Sequence, residues 1–502
     1  MKLNVSGNIN QYYVQTLCMI FFPGERFSEK DVDTDIENDV AVPELTLRLE
    51  ENENDVQVFA ELTLDEKYAS CEKIYGHRDD ITHDRLKKIA VGDAILSVCG
   101  EVISYRPSWG MLVGVRPSKV ATEMLESGMS KTRVKKTLVS DYFVIPKKAA
   151  LATEVALNEA ELVKSADARE CSVYISIPFC PTRCAYCSFV SYTSKKLLST
   201  IPDYLIALGD EIKKTFALIG ELGLRVKTVY IGGGTPTTLD ATQLEWLLAL
   251  IDESYDVSTV DEYTLEAGRP DTIDAEKMSI AVKHGVTRIS VNPQTLNDDV
   301  LRIIGRAHTA EDFLRAYDVV RNSGVKVINT DMIAGLPGDK FASFSSSYDK
   351  VVALRPENIT VHTFSVKKAS DILKSSTHIY SVRGGDVGKC VDYSQITAQH
   401  EGYQPYYMYR QKNTVGNYEN VGFALEGHKG LYNIYMMEEI HSIFACGAGA
   451  VSKFVDYNPA NGEKRAIERF FNPKYPYEYL SDNKTEAKLE SAREFYLRRG
   501  LV

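Results

Sequence analysis

From Cys171 onwards, short apolar runs alternate with longer segments whose apolar residues recur at helical spacing. The helical segments follow the i, i+3/i+4, i+7 pattern, as Ile201, Leu205, Leu208 and Ile212 do. The apolar runs are the predicted strands, at 172–177, 228–231, 263–267, 288–291, 325–333 and 358–364. Because strands and helices alternate, we predict an α/β fold with six parallel strands and external helices, either an open doubly wound sheet or a barrel.

The first third of the chain shows a different pattern and is predicted to form an α+β unit of its own. Alternating positions predict strands at 45–49 and 56–62, and a 3.6-residue period predicts a helix at 147–165. Ser118 or Ser130 is a candidate cap for a shorter helix. Residues 25–39 are acidic and are predicted to form a loop. The predicted domains are residues 1–168, 169–380 and 381–502.

One loop of the first unit carries Trp109, one of only two tryptophans in the chain. It runs from Arg106 to Pro117 and contains two prolines and two glycines. We interpret it as a turn packed over the domain, because proline and glycine favour turns. A loop facing the substrate or a second domain is the alternative.

Composition and charge exclude several classes of protein. The net charge of −11 disfavours nonspecific binding to nucleic acid, and no basic run is interleaved with aromatic residues. Nine cysteines with a single tight group do not resemble a disulfide framework. The apolar stretch 12–22 is too short to span a bilayer and lacks the features of a signal peptide. We therefore expect a soluble, cytoplasmic protein.

Three cysteines form a CxxxCxxC array, Cys180-Pro-Thr-Arg-Cys184-Ala-Tyr-Cys187, directly behind the first predicted strand of the barrel. Three thiolates on one short loop can hold three irons of a 4Fe-4S cluster and leave the fourth iron open to a small molecule. The alternative is that some of these cysteines are buried and behave as small apolar residues. Buried cysteines follow strand or helix periods, however, and seldom crowd a loop that contains proline.

Polar or glycine-rich segments follow the other predicted strands as well. The second strand ends in Ile231-Gly-Gly-Gly-Thr-Pro-Thr, and the third carries Glu266 near its end. The fourth runs into Asn292-Pro-Gln294, and the fifth carries Asp331 before Ala334-Gly-Leu-Pro-Gly. Each residue alone could be a turn or cap residue. Together they place polar groups at the carboxyl ends of the strands, where barrels of this kind have their active sites.

Four motifs in combination resemble those of the radical S-adenosylmethionine (SAM) enzymes. They are Tyr174-Ile-Ser-Ile-Pro-Phe-Cys, the cysteine array with Tyr186 before its last cysteine, Gly-Gly-Gly-Thr-Pro-Thr and Ala-Gly-Leu-Pro-Gly. Residues 170–480 resemble more narrowly the oxygen-independent coproporphyrinogen III dehydrogenase (HemN-like) family, and within it the HemZ-type members with a long N-terminal extension. The resemblance implies a partial (β/α)6 radical SAM barrel, followed by a C-terminal HemN-like domain that covers the substrate.

The resemblance also implies a role for individual residues. The cysteines of the array would ligate one 4Fe-4S cluster, and together with Tyr174 they form the implied catalytic set: Cys180, Cys184 and Cys187. The amino and carboxylate groups of SAM would chelate the fourth iron. The implied cofactor-binding residues are Tyr174, Tyr186, Gly233, Gly234, Thr235, Glu266, Gln294, Arg306, Asp331 and His362.

Four of these cofactor-binding residues have specific expected contacts. Glu266 matches a residue beside the methionine amino group, and Arg306 matches the partner of the methionine carboxylate. Gln294 and Asp331 correspond to acceptors for the ribose hydroxyls. His362 corresponds to a position near the adenine, although a core histidine is the alternative there.

The implied reaction is the oxidative decarboxylation of coproporphyrinogen III to protoporphyrinogen IX without oxygen, by means of a 5'-deoxyadenosyl radical. One or two SAM molecules would bind, and a flavodoxin- or ferredoxin-type protein would supply the electron. Arg410 and Lys412 are candidate contacts for the propionates of a tetra-anionic tetrapyrrole. The alternative for these two residues is a solvated basic face beside core tyrosines.

Two departures from the family pattern bear on the function. HemN-type enzymes have a fourth cysteine where this chain has Phe189, and the related haem chaperone HemW has a His-Asn-x-x-Tyr-Trp motif where this chain has Tyr432-Asn-Ile-Tyr-Met. The missing histidine removes the obvious haem ligand, although His428 and His441 are close enough in sequence to substitute. An enzyme is therefore the preferred hypothesis. A haem carrier of the HemW kind, or a radical SAM enzyme acting on another tetrapyrrole, is the alternative.

Overall fold

The chain divides into two compact units in the computed structural model. Unit 1 comprises the described residues of Met1–Leu157, Gly385 and Met408–Glu419, and unit 2 comprises those of Asn158–Ser365, Asp386–Tyr407 and Asn420–Val502. The division into three domains stays a prediction. The structure describes residues 1–23, 25, 27, 42–114, 116–187, 192–365, 385–411, 414–457, 459 and 465–502.

Unit 1 is built on a four-stranded sheet in the order β1-β2-β3-β4, in which β1 is parallel to β2 and the other pairs are antiparallel. Its strands are β1 (Lys2–Ser6), β2 (Glu44–Glu51), β3 (Asp55–Leu64) and β4 (Lys67–Gly76). Its helices are α1 (Gln11–Phe21), α2 (His83–Ile103), α3 (Pro117–Glu126), α4 (Lys131–Ser140) and the start of α5 (Pro146–Lys164). The apolar face of β2 and β3 packs with α1 and α2 in one core.

Most sequence predictions for unit 1 are confirmed. The strands predicted at 45–49 and 56–62 are β2 and β3, and the helix predicted at 147–165 is α5. Ser130 caps α4 by accepting the N–H of Arg133 at 3.3 Å, whereas Ser118 lies inside α3 behind Pro117. The loop predicted at 25–39 falls almost wholly outside the described residues.

The loop around Trp109 packs against the body of unit 1, as the turn interpretation predicted. Trp109 is buried, and its indole N–H donates to Glu419 at 2.8 Å. Lys148 donates to the other oxygen of Glu419 at 2.5 Å, which compensates the buried carboxylate.

Unit 2 contains an eleven-stranded sheet in the order β11-β12-β10-β9-β8-β7-β6-β5-β13-β14-β15. Its strands are β5 (Glu170–Ile177), β6 (Arg225–Gly233), β7 (Glu262–Glu266), β8 (Arg288–Ser290), β9 (Val327–Ala334), β10 (Asn358–Thr363), β11 (Gln404–Tyr409), β12 (Asn420–Ala424), β13 (Ser442–Cys446), β14 (Val451–Asp456) and β15 (Ala466–Phe471). Its helices are α6 (Lys195–Leu198), α7 (Ile201–Glu221), α8 (Ala241–Ser254), α9 (Ala275–Lys283), α10 (Asp298–Ile303), α11 (Ala310–Asn322), α12 (Phe341–Ala353), α13 (Val387–His400), α14 (Leu431–Glu438), α15 (Pro476–Ser481) and α16 (Thr485–Arg499).

The strands β5 to β10 are the six predicted parallel strands, and they lie side by side in chain order. Helices connect them, as in a right-handed βα repeat. The predicted α/β class with a partial (β/α)6 barrel is confirmed. Because all six strands run in the same direction, their carboxyl ends meet at one edge of the barrel.

Residues after position 400 extend this sheet at both edges, which the sequence prediction did not include. β12 pairs with β10 in the antiparallel direction, and β13 pairs with β5 in the parallel direction, with Ser442 opposite Cys171. All five residues of β13 are buried, so this strand belongs to the core of unit 2. It also brings the loop that follows it beside the carboxyl end of β5.

A buried ion pair holds this loop in place. Lys488 of α16 donates to Glu211 of α7 at 2.6 Å, and both side chains are about 1% exposed. Glu211 also accepts the N–H of Gly447 at 2.7 Å and the hydroxyl of Tyr479 at 2.5 Å. Burial raises the pKa of Glu211, but Lys488 and these donors outweigh burial and hold the pKa below its usual value. The pair therefore joins α7, α15 and α16 to the edge of the barrel.

No helix among the described residues is long and apolar enough to cross a membrane.

Candidate functional site

The cysteine array begins directly behind β5 and is fixed there by backbone hydrogen bonds. Phe179 is fully buried, and the N–H of Cys180 donates to the carbonyl of Tyr192 at 3.1 Å. The sulfur of Cys180 lies 3.3 Å from the hydroxyl of Thr235, which follows β6. The array is thus held against the loop of the next strand.

Cys184 and Cys187 lie further along the same loop and are half-buried. The N–H of Cys187 donates to the carbonyl of Cys184 at 3.0 Å, so the two residues form a tight turn. Within the described ranges, no three His, Cys, Asp or Glu side chains lie close enough together to hold a metal ion. The assignment of all three thiols as cluster ligands therefore stays a prediction.

The glycines behind β6 are required by close packing. The N–H of Gly234 donates to the carbonyl of Ile177 at 2.8 Å, and a Cβ on Gly234 would lie 2.6 Å from the carbonyl oxygen of Phe179 and 3.0 Å from the sulfur of Cys180. Gly233 has a φ of +112°, which other residues rarely adopt. Glycine at both positions lets the loop behind β6 lie directly on the cysteine array.

Glu266 lies at the carboxyl end of β7, beside this glycine loop. A Cβ on Gly232 would come within 2.8 Å of one of its oxygens. The other oxygen accepts the hydroxyl of Tyr230 at 2.5 Å. Burial raises the pKa of Glu266 to about 7, and the nearby charge of Asp331 adds to this effect, whereas the bond from Tyr230 opposes it. A half-buried carboxylate of this kind is suited to receive a cationic group.

The ring of Tyr174 is one of three stacked tyrosine rings. Its ring centroid lies 6.0 Å from that of Tyr230 and 6.2 Å from that of Tyr432, and the last two are 4.5 Å apart. Tyr432 belongs to α14, whose first backbone N–H groups donate to Glu262 at 2.8 and 3.3 Å. Glu262 starts β7, so α14 is fixed to the amino ends of the barrel strands. Sequence reasoning gave no role to Tyr230 or to this stack.

Gln294 and Asp331 meet at the carboxyl ends of β8 and β9. The N–H of Gln294 donates to the carbonyl of Asp331 at 3.1 Å, and Asn292 Oδ1 accepts the N–H of Asp331 at 3.0 Å. The Oε1 atom of Gln294 is buried and has no hydrogen-bond partner among the described residues. An unpaired buried acceptor is costly unless a ligand satisfies it.

His362 lies 3.7 Å from Asp331, measured from Nε2 to Oδ2. Burial raises the pKa of Asp331, but His362 and the amide of Asn329 outweigh it, and the net pKa is lowered. Asp331 is therefore an ionised acceptor next to Gln294, as expected for a residue that binds a diol.

Arg306 is buried beside the cysteine array. Its two terminal nitrogens donate to the carbonyls of Gly268 and Asn292, both at 3.1 Å, and its Nε is buried without a partner in the described part of the chain. Tyr186 lies close to both Arg306 and Cys184, and burial raises the pKa of its hydroxyl while the charge of Arg306 opposes this. A guanidinium with one free donor next to the array is suited to bind a carboxylate.

Of the two candidate substrate residues, the structure describes only Arg410. Arg410 belongs to unit 1, where it is buried and donates to the carbonyl of Leu112 and to Asn417. Burial lowers its pKa to about 10. The solvated basic face considered for this residue is therefore wrong, and its contact with a propionate stays a prediction. Lys412 and Phe189 lie outside the described residues.

Of the two histidines proposed to replace the missing haem ligand, His441 is buried and His428 is half-buried. His441 is buried, stacks on Tyr435 at 3.8 Å between centroids, and lies 3.3 Å from the hydroxyl of Ser172. Burial lowers its pKa despite nearby Glu170. His428 lies in the loop before α14, and its carbonyl accepts from Arg288 at 3.1 Å.

The comparisons with known proteins identify the family of the chain. A family model described as the radical SAM superfamily matches residues 174–351, from the first strand of the barrel to α12. The oxygen-independent coproporphyrinogen-III oxidase-like protein HemZ of Bacillus subtilis is 38% identical over 396 residues, which is 77% of each chain. The chain belongs to the HemZ family of radical SAM proteins.

Two further proteins match this HemZ-family chain at lower identity. The haem chaperone HemW of Bacillus subtilis is 30% identical over 336 residues, which is 65% of this chain and 83% of HemW. The crystal structure of coproporphyrinogen III oxidase HemN from Escherichia coli superimposes with a TM-score of 0.48 and 20% identity, and covers 66% of this chain and 73% of HemN.

Membership of the radical SAM superfamily implies a 4Fe-4S cluster and SAM. The residues present fit these groups. Three thiols share one loop, and the N–H of Ala185 in that loop donates at 3.0 Å to the carbonyl of Ile304, two residues before Arg306, whose Nε is unpaired among the described residues. The carboxylates of Glu266 and Asp331 lie in β7 and β9, and Gln294, with its unpaired Oε1, follows β8 between them. This donor set matches a ligand that carries an ammonium, a carboxylate and a diol.

Proposed function

We propose that this HemZ-family protein catalyses the oxygen-independent oxidative decarboxylation of coproporphyrinogen III to protoporphyrinogen IX, a step of haem biosynthesis in the cytoplasm. The observation that carries the proposal is the group of Glu266, Gln294, Asp331 and Arg306 beside the cysteine array. When bound, the cluster and SAM supply a 5'-deoxyadenosyl radical that abstracts hydrogen from a propionate side chain.

The chain's own residues bind and orient the cofactor in this proposal. Cys180, Cys184 and Cys187 hold one cluster. Glu266 accepts from the ammonium group of SAM, and the free Nε of Arg306 donates to its carboxylate.

Gln294 Oε1 and Asp331 would accept from the ribose hydroxyls of SAM, and His362 would lie near the adenine. The stacked rings of Tyr174, Tyr230 and Tyr432 would shield part of the site from water. This constellation would hold one SAM molecule, and binding of a second would need a further site.

The substrate and the electron donor come from the family resemblance. Arg410 and Lys412 would contact propionates, residues 381–502 would cover the substrate, and a flavodoxin- or ferredoxin-type protein would reduce the cluster. A HemW-like haem carrier is the second candidate, supported by the 30% identity to HemW. Burial of His441 and the replacement of the motif histidine by Tyr432 favour the enzyme.

Anaerobic incubation of the reconstituted protein with SAM, reduced flavodoxin and coproporphyrinogen III separates the two candidates. The enzyme produces protoporphyrinogen IX with one methionine and one 5'-deoxyadenosine for each propionate lost. Stoichiometric haem binding combined with SAM cleavage and an unchanged substrate would overturn the proposal in favour of the carrier. Formation of a different decarboxylated product from another porphyrinogen would point to a relative that acts on another tetrapyrrole.

Replacing Glu266 with glutamine is expected to weaken SAM binding by about 10- to 100-fold, since hydrogen bonds to charged groups contribute about 1.5–3 kcal/mol. The binding of SAM to wild-type protein should also weaken between pH 7.5 and pH 6, because the pKa of Glu266 is about 7 and the carboxyl becomes neutral below it. Titration calorimetry at both pH values measures this.

The matched control for this variant is Glu276→Gln on the exposed surface of α9, which should bind SAM like the wild type. The Glu266→Gln variant should lose the pH dependence together with the affinity. Unchanged affinity in Glu266→Gln would show that this carboxylate does not contact the ammonium group.

A further inference from the structure

Arg269 is a buried arginine aimed at the cysteine array, and neither the motifs nor the family resemblance gives it a role. It follows β7 in the segment Gly268-Arg-Pro-Asp271 and is 3% exposed. Its Nη1 atom lies 3.1 Å from the carbonyl of Thr182 and 3.9 Å from the sulfur of Cys184. The guanidinium therefore donates to the loop between the first two cysteines.

The orientation of this guanidinium is fixed from the opposite side. Its Nε and Nη2 atoms donate to the two carboxylate oxygens of Asp271 at 3.0 and 2.9 Å. This fork-to-fork pairing leaves Nη1 as the donor that faces the array. The backbone carbonyl of Arg269 accepts the hydroxyl of Thr272 at 2.8 Å, which fixes the main chain as well.

Two arginines, Arg269 and Arg306, lie near the sulfur of Cys184 but differ in how they interact with it. Arg306 acts on the sulfur electrostatically and through Tyr186, and its own terminal nitrogens are taken by backbone carbonyls. Arg269 donates toward the sulfur itself, and its charge is partly balanced by Asp271. Arg269 and Asp271 are therefore a pair of opposite charges, with the positive member nearer to the sulfur of Cys184.

We propose that Arg269, oriented by Asp271, raises the reduction potential of the cluster by donating a hydrogen bond to the sulfur of Cys184. The inference rests on the proposed function in one respect, the ligation of the cluster by Cys184. Hydrogen bonds to cluster sulfurs and nearby charge are known determinants of iron–sulfur potentials. Reduction adds one negative charge to the cluster, and a nearby guanidinium stabilises the reduced state more than the oxidised state.

Removing the charge should therefore make the cluster harder to reduce. In Arg269→Gln, the ratio of reduced to oxidised cluster at a fixed applied potential is expected to fall about tenfold, which corresponds to about 59 mV for a one-electron couple. Asp271→Asn should shift the ratio in the opposite direction, because it removes the balancing negative charge and leaves Arg269 in place. A role in packing alone would not produce shifts of opposite sign.

Redox titration followed by electron paramagnetic resonance measures these ratios without requiring turnover. Arg315→Gln is the matched control, because Arg315 is exposed on α11 and pairs with Glu311 at 2.6 Å. Its midpoint potential should equal that of the wild type. Equal potentials in Arg269→Gln and wild type, or shifts of the same sign in Arg269→Gln and Asp271→Asn, would overturn the inference.

Two further measurements separate the possible failures. Arg269→Lys keeps the positive charge but loses the two-bond pairing with Asp271. The cluster potential of this variant should therefore lie between those of the wild type and Arg269→Gln. The lysine variant remains informative if Arg269→Gln does not retain its cluster. Loss of the cluster from both variants would overturn the proposal in favour of a purely structural role. Failure of the wild-type protein to bind a 4Fe-4S cluster would instead contradict the proposed function.

Discussion

Replacing Cys184 with alanine is expected to abolish the 4Fe-4S spectrum and to reduce SAM cleavage to the background rate. The two remaining thiolates, Cys180 and Cys187, cannot hold three irons. Within the described part of this loop there is no further thiol that could replace Cys184. Reconstitution with iron and sulfide, followed by absorption and Mössbauer spectra, measures the loss.

Cys71→Ala is the control for this variant. Cys71 is a half-buried thiol on β4 of unit 1, where it donates weakly to the carbonyl of Ala94 at 3.6 Å. This variant should bind a full cluster. A complete 4Fe-4S signal in Cys184→Ala would refute the assignment of the array as the ligand set.

Replacing Lys488 with methionine is expected to lower the free energy of unfolding by about 3–5 kcal/mol, because it leaves the carboxylate of Glu211 buried without a counter-charge. The loss should be smaller at pH 5 than at pH 8. In the wild type, Lys488 holds the pKa of Glu211 low. In the variant, burial raises this pKa, so Glu211 takes up a proton at acidic pH and becomes neutral. Urea unfolding at both pH values measures this.

Lys214→Met is the matched control, because Lys214 lies on α7, the helix that carries Glu211. Lys214 pairs with Asp210 at 3.0 Å and with Glu486 at 2.8 Å, but all three side chains are exposed. Exposed pairs of this kind contribute about 0–1 kcal/mol. If the two lysine variants were equally stable, the buried pair would not be what holds α16 to the barrel.

The strands of the barrel could be predicted because their environment leaves a simple pattern. β5 (ECSVYISI) and β7 (EYTLE) are buried along almost their whole length, and each is a short run rich in apolar, aromatic or β-branched residues that a helical segment separates from the next strand. β13 is equally buried, but no helix of βα type follows it. Its parallel pairing with β5 joins Ser442 to Cys171, 271 positions earlier in the chain, which a local pattern does not contain.

The residues of the candidate site likewise fall into those that the sequence could predict and those that it could not. Glu266 ends β7, Asp331 lies in the second half of β9 and Gln294 follows β8, so the direction of the strands was enough to predict that they meet. Tyr432 joins Tyr174 and Tyr230 only because Glu262 fixes the start of α14 at the other end of the barrel. Arg269 was visible in the sequence as part of Gly-Arg-Pro, but its direction depends on the fork with Asp271.

Transfer of deuterium from the substrate to 5'-deoxyadenosine is the most direct test of the central proposal. The protein is incubated without oxygen with SAM, a reductant and coproporphyrinogen III that carries deuterium on the β-carbons of its propionates, and the products are analysed by mass spectrometry. The account predicts 5'-deoxyadenosine that contains deuterium, in proportion to the carbon dioxide released. Unlabelled 5'-deoxyadenosine together with intact coproporphyrinogen III would contradict it.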